Sequence, residues 1–246
     1  MAIEKEKIIA AAMELLNEAG LDQFSTRRLA ERLGVQQPAL YWHFRSKADL
    51  LDALNSEMLT RFHVHRLPRP GEPWDEFTFA LARSFRRALL SVRDGARINA
   101  GTRPSIREFA DAERQLRHYV DAGFSAEDAL HISISITRYV VGYVLEEQDE
   151  RERNDDDSEN AWSDGDPMDQ LVPFPLLSEA IKPLLVEGGT INTESVFEGG
   201  LAFMVSGMRA SLAGKGKKKA APGGAAKRSK PAAPSARPTP PRRRRA

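Results

Sequence analysis

FSTRRLAERLGVQQPALYWHFRSK, residues 24–47, is the stretch whose reading decides the fold. Ser25 and Thr26 are residue types whose side-chain oxygen accepts from the open N–H groups at a helix start, and Leu29, Ala30 and Leu33 follow at helical spacing. Gly34 stops that helix. A second, short helix opens at Gln37 and Pro38, because the first helical positions tolerate a missing backbone N–H. Leu40 and Phe44, with Leu50 and Leu51 beyond them, supply its buried side, which leaves Gln37, Ala39, Tyr41, Trp42, His43 and Lys47 facing outward. Two helices about a tight turn, the second carrying hydrogen-bonding side chains, form the pattern of a helix-turn-helix. Such a second helix enters a DNA major groove.

Outward from this stretch the chain stays helical. Residues 3–20 put Ile8, Ile9, Ala12, Leu15, Leu16 and Ala19 on one face before Gly20, which completes a three-helix DNA-binding domain over residues 1–47. A fourth helix, 48–62, follows with no flexible linker and can therefore transmit motion. The prolines of residues 66–73 mark a loop. Helical patterns resume at 74–92, 96–100, 105–122 and 126–147, the last apolar on nearly every side, which predicts burial against both the core and a second subunit. Twelve acids crowd residues 146–169, so 148–170 reads as a mobile acidic loop. A helix at 176–186, shortened or kinked by Pro183, and a last one at 194–212, with Gly199, Gly200 and Gly207 as close-approach positions, end a ligand-binding and dimerisation domain over 48–213. No strand pattern or internal repeat is visible, and the predicted fold is all-α.

Composition narrows the function classes. The 246 residues include no cysteine, which excludes disulfides, thiolate zinc sites and cysteine nucleophiles. Neither a signal-peptide pattern nor an apolar run of membrane-spanning length is seen, so a soluble, cytoplasmic protein is expected, with no membrane partner. The formal charge of +1 hides segregation: residues 214–246 hold twelve Lys and Arg and no acid, against 24 basic and 35 acidic residues elsewhere. That Gly-, Ala- and Pro-rich basic tail reads as disordered. It serves either as an auxiliary DNA clamp acting by counterion release or as an extension that solubilises or rests on the acidic loop.

The ordered set LYWHF (40–44), Lys47, LDAL (51–54), EML (57–59), SFR (84–86), ALLS (88–91), RDGA (93–96), GTRP (101–104), GFS (123–125) and VLE (144–146) resembles the TetR family of transcriptional repressors, in particular its tetracycline-responsive members. The resemblance covers most of the first 150 residues. It implies a homodimer that binds a palindromic operator and lets go when a small molecule enters the regulatory domain. Carried over by position, Thr26, Arg27, Gln37, Pro38, Ala39, Tyr41, Trp42, His43 and Lys47 face DNA. Arg27 can fork onto guanine, Gln37 can pair with adenine, and Tyr41, His43 and Lys47 can hold phosphates. Ala39 replaces a threonine of the family and offers only apolar contact. Tyr41 and Trp42 either contact DNA or pack within the domain, while Arg28, Arg32 and Arg45 read as solvated surface.

In the regulatory domain the positions implied for the ligand are His63, Leu81, Phe85, Asn99, Thr102, Arg103, Pro104, Gln115, Arg138 and Glu146. Three depart from the family: Leu81 stands for an asparagine, Asn99 for a magnesium-binding histidine, and Arg138 for a histidine. Leu81 removes an amide that would grip a polar ring edge, and the lost hydrogen bonding implies a different inducer, a planar, oxygen-rich aromatic compound of tetracycline or polyketide type. Magnesium, if it accompanies that inducer, falls to Asn99, Thr102 and Glu146; otherwise no cofactor is required. The bland reading of His63 is a hydrogen-bonded interior histidine, and of Phe85 a core residue. Ligand contact near His63, Asn99 and Thr102 is expected to shift residues 96–104 and, through helix 48–62, to move two recognition helices that must stand about 34–36 Å apart. Rival classes are an enzyme using His63, Glu146 and Glu147, which lacks any accompanying nucleophile or phosphate-loop motif, and an architectural or non-inducible DNA-binding protein.

Overall fold

The computed structural model describes residues 3–156, 167–186 and 191–220, with side chains for 3–152, 168–186 and 191–214. Among the described residues the chain is helical, and its one pairing of extended residues is an isolated bridge between Leu185 and Ile191. None of the described helices is long and apolar enough to cross a membrane.

The head is α1 (Lys5–Gln23), α2 (Thr26–Leu33) and α3 (Pro38–Tyr41). Backbone angles at Gly20 interrupt α1. The Ser25 hydroxyl accepts from the Arg28 N–H at 3.2 Å, and Gly34 ends α2 in the left-handed region (φ 66°, ψ 28°), a conformation that costs glycine nothing. Ile8, Leu16, Phe24, Leu29, Leu40, Phe44 and Leu50 close the core of the head, each such side chain contributing roughly 1.5–3 kcal/mol on burial. Then α4 (Lys47–Phe62), capped by the Ser46 hydroxyl, runs from the head into the regulatory domain, burying Leu50, Leu54, Asn55 and Met58.

The regulatory domain is built around α5 (Trp74–Leu90), whose buried stripe holds Phe77, Leu81, Phe85, Ala88 and Leu89. It packs on α4, on α6 (Gly95–Gly101) and on α8 (Ala126–Asp156), and α7 (Ile106–Asp121) lies along α8. The chain continues through α9 (Pro167–Gln170), α10 (Pro175–Ile181), a 3-10 turn (Lys182–Leu184) and α11 (Thr193–Ala220). Arg86 sits inside the apolar stripe of α5 and is satisfied there. It donates to both Glu147 oxygens at 2.7 and 2.8 Å, pairs with Glu194, and lies 4.8 Å from the Phe197 ring centroid. One cation thus joins α5, α8 and α11.

Three boundaries depart from the sequence reading. The acidic run, expected as a loop from 148, is helical to Asp156, because its first side chains have partners: Glu147 on Arg86, Gln148 on the Leu89 and Val92 carbonyls and the Ala96 N–H, and Glu152 on Arg93. The rest of that expected loop up to 166 lies outside the described residues. Residues 176–186 divide into α10 and the 3-10 turn that contains Pro183. The helix expected to end at 212 continues through Lys- and Ala-containing residues to Ala220, two positions before Pro222. Most of the expected basic tail, 221–246, lies outside the described residues.

Candidate functional site

The head presents a compact polar cluster. Gln37 donates from Nε2 to the Thr26 hydroxyl at 2.9 Å and to the Tyr41 hydroxyl at 3.4 Å, so α2 and the single turn of α3 hold one another in register. Trp42 projects from this surface 88% exposed, and Tyr41 is 46% exposed, which disposes of packing as the main occupation of Trp42. Pro38 is exposed, while Ala39 and His43 are half-buried beside them. Arg27 lies against Glu31 at 3.0 Å on the outer side of α2. Lys47 donates to the Phe24 carbonyl at 2.8 Å and covers the Phe24 ring, a tie within the head that a phosphate would have to displace. Arg32 is held by Glu14 and Glu18, and Arg28 by Gln23, so neither is directed toward the cluster.

Behind the head a cavity of about 1160 Å³ opens between α4, α5, α6, α7 and α8. The predicted ligand positions His63, Leu81, Phe85, Asn99, Thr102, Pro104, Gln115 and Arg138 all line it. Arg103 and Glu146 do not: the Arg103 backbone N–H donates to Asp52, and Glu146 is an exposed residue of α8 outside the lining. The metal set Asn99, Thr102 and Glu146 is therefore split within this chain, and the described residues contain no cluster of three His, Cys, Asp or Glu side chains suited to a metal.

His63 is the electrostatically unusual group of the cavity. Burial, with the positive neighbours Arg66, His65 and Arg87 adding to it, pushes its imidazole down to about 3, so the ring is neutral at physiological pH. The Ser84 hydroxyl, 3.0 Å from His63 Nδ1, already accepts the His65 N–H at 2.9 Å. The Nδ1 contact fastens the ring to α5. Phe85 lies 5.4 Å from the His63 ring centroid and forms an aromatic floor. Leu81 is apolar and buried, as the sequence requires.

The cavity and the head share α6. On its cavity side Asn99 donates to Asn55 of α4 at 2.9 Å, and the Thr102 hydroxyl donates to the Asn99 carbonyl. On its other side Asp94, itself left-handed (φ 57°), accepts the Leu21 N–H at 2.6 Å and pairs with Arg97, which also reaches Asp22. Gly95 permits this approach: a Cβ there would stand 2.1 Å from the Leu89 carbonyl oxygen, so no other residue fits. In the sequence Asp94 and Gly95 figure only as part of the RDGA stretch between two helical patterns. Leu21, Asp22 and Ala96 stand 73, 75 and 52 residues from Asp94, Arg97 and Gln148, and spacing carries no signal for those contacts.

Comparison with known proteins places these features in company. The model for bacterial regulatory proteins of the tetR family matches residues 8–54, and that for the tetracyclin repressor-like C-terminal domain matches residues 67–212. The chain is 48% identical over 206 residues to the class A tetracycline repressor protein from transposon 1721 of Escherichia coli, covering 84% of this chain and 90% of that one. A solved structure of a class A TetR with 5a,6-anhydrotetracycline and magnesium superposes with a TM-score of 0.65 at 38% identity, covering 85% of this chain and 99% of the other. The Streptomyces coelicolor TetR family protein ActR in complex with actinorhodin gives 0.67 at 26% identity, covering 86% and 99%.

Proposed function

The chain belongs to the TetR family of bacterial regulators, and on that premise we propose that it is a cytoplasmic, ligand-responsive transcriptional repressor that grips a palindromic operator as a homodimer. A small, planar, oxygen-rich aromatic inducer enters the cavity and releases the DNA. The observation that carries this reading is the double attachment of α6, to the cavity helix α4 through Asn99–Asn55 and to the head through Asp94–Leu21. A ligand that displaces Asn99 or Thr102 acts on a segment bonded to the end of α1, and the head cannot stay indifferent. An architectural DNA protein would need neither the cavity nor this linkage.

Thr26, Arg27, Gln37, Pro38, Ala39, Tyr41, Trp42, His43 and Lys47 are the proposed DNA contacts, with the exposed Arg27, Tyr41 and Trp42 foremost. For the second subunit the support is the face of α11 that carries Gly199, Phe203 and Gly207, four residues apart and exposed, with Phe203 82% accessible. Gly200, by contrast, is used within the chain, where Tyr139 leaves no room for a Cβ. Magnesium fits the cavity poorly as a resident ion. Asn99 and Thr102 offer neutral oxygens, Glu108 is spent on capping Ser105, and Asp111 on Arg66, so a divalent ion would rely on the ligand and water for most of its shell. The test begins with selection of bound duplexes from a random pool by the full chain. A palindrome with half-sites about one helical turn apart is expected, and its release by planar aromatic compounds follows in a mobility-shift titration. Recovery of no symmetric site, or a complex indifferent to every such compound, would overturn the reading.

A further inference from the structure

We infer that the inducer of this protein is an anion at neutral pH, an aromatic compound bearing a carboxylate or an equally acidic group, bound free of metal with Arg138 and Arg107 as its counter-charges. The inference rests on the aromatic-inducer reading above and adds the charge of the ligand.

Three guanidinium groups and three carboxylates border the cavity, and their pairing is unequal. Asp111 lies 2.9 Å from Arg66 Nε. Glu108 is turned back onto the Ser105 N–H at 2.6 Å to complete the capping box of α7, and Glu113 leans along the helix to Arg117 at 3.2 Å. Every acid of the wall is thus engaged. The cations are not. Arg107 reaches only the neutral Thr60 hydroxyl at 3.3 Å, and among the described residues Arg138 has neither a carboxylate nor a hydrogen-bond acceptor. Arg66 Nε, although beside Asp111, completes no hydrogen bond and is buried. The wall therefore carries about two positive charges without internal compensation.

These charges and the ring-facing residues Leu81 and Phe85 come from different helices of the wall. Arg138 follows Thr137 and Ile134 on α8, Arg107 is on the adjoining α7, and Leu81 and Phe85 lie on α5. A flat ring system against Leu81 and Phe85 would offer its acidic edge to Arg107 and Arg138, with the neutral His63 imidazole beside it. A guanidinium fork suits a carboxylate in geometry as well as charge. The same field opposes a ligand that enters as a magnesium chelate, because it adds like charge to a site with no free acid.

Anthraquinone-2-carboxylate and its neutral isostere anthraquinone-2-carboxamide are suitable probes, titrated into the full-length protein by fluorescence quenching in EDTA at two salt concentrations. The carboxylate is expected to bind at least tenfold tighter than the carboxamide. R138A should reduce that ratio to twofold or less, R138K should restore part of it, and replacing EDTA by magnesium should not tighten binding. Operator binding by R138A, whose side chain is exposed, serves as the folding control. Equal affinity for the two probes, or a ratio that survives R138A combined with R107A, overturns the charge assignment and leaves the aromatic-inducer reading standing. Binding of neither probe by protein that still holds its operator overturns both.

Discussion

Asp94 offers a perturbation whose parts can be separated. Its carboxylate does three things: it accepts the Leu21 N–H at 2.6 Å, pairs with Arg97 at 2.8 Å, and sits on a backbone held at φ 57°. Removing the acceptor leaves a partly buried N–H without a partner, at a cost of about 1–3 kcal/mol. A left-handed backbone at a residue other than Gly, Asn or Asp costs roughly 1–2 kcal/mol more. The Arg97 contact adds little, since Arg97 keeps Asp22 and is more than a third open to solvent. D94A should therefore lose about 2–5 kcal/mol. D94G loses the acceptor but relaxes the backbone, against roughly 0.5–1 kcal/mol of extra chain entropy, and should lie somewhat above D94A. D94N keeps an acceptor oxygen and tolerates the left-handed region, so it should stay within about 1 kcal/mol of the natural protein. Urea unfolding followed by circular dichroism, with the slope checked for constancy, gives this ladder directly. A D94A protein within 0.5 kcal/mol of the natural one would refute the reasoning. So would D94N falling below D94A.

Replacing Leu81 by Asn should raise affinity for magnesium–tetracycline by about one to two orders of magnitude, because it returns an amide to the wall; unchanged affinity in a fluorescence titration would show that Leu81 does not redirect specificity. W42A should leave stability within about 0.5 kcal/mol, as its side chain is 88% exposed, while operator affinity falls on the order of tenfold; a stable variant with full affinity would remove Trp42 from the DNA interface. His63 titrates at about 3 in the folded chain against an ordinary 6.5, so the unfolded chain binds the extra proton between those values. Stability should accordingly be complete above 6.5 and fall as the pH drops below it, by about 1.4 kcal/mol for each pH unit. Urea midpoints between pH 7 and pH 5 measure that slope, and H63Q should flatten it; an identical slope in H63Q would place the proton elsewhere.

The head was readable because its determinants are local. Ser25, Gly34, Pro38 and Ser46 each act within four residues, and caps, turns and helical spacing leave a sequence signature. The cavity was readable by a different route: His63, Asn99 with Thr102, and Arg138 come from three separate segments, and only the family resemblance placed them together. Neither route reached the connections that make α6 a junction. Asp94 to Leu21 and Gln148 to the ends of α5 and α6 are single contacts across long separations. Arg86 did carry a signal, a lone charge within the stripe of Phe77, Leu81, Phe85 and Leu89, which demands buried acids nearby. Charge density misled at the start of the acidic run, where α8 continues past the Glu147–Arg86 pair and Glu152 finds Arg93 in the turn after α5.

The ties along α4 also set a gear ratio. At one end His63 is fastened to Ser84, and eight residues earlier Asn55 takes the amide of Asn99. With a rise of about 1.5 Å per residue, Asn55 stands about 12 Å from the His63 pivot and Lys47 about 24 Å from it. A displacement delivered at Asn55 arrives roughly doubled where α4 enters the head, and grows further toward Trp42. Half an ångström at the cavity therefore becomes an ångström or more at the groove, and the protein needs no large rearrangement around its ligand to lose its footing on DNA.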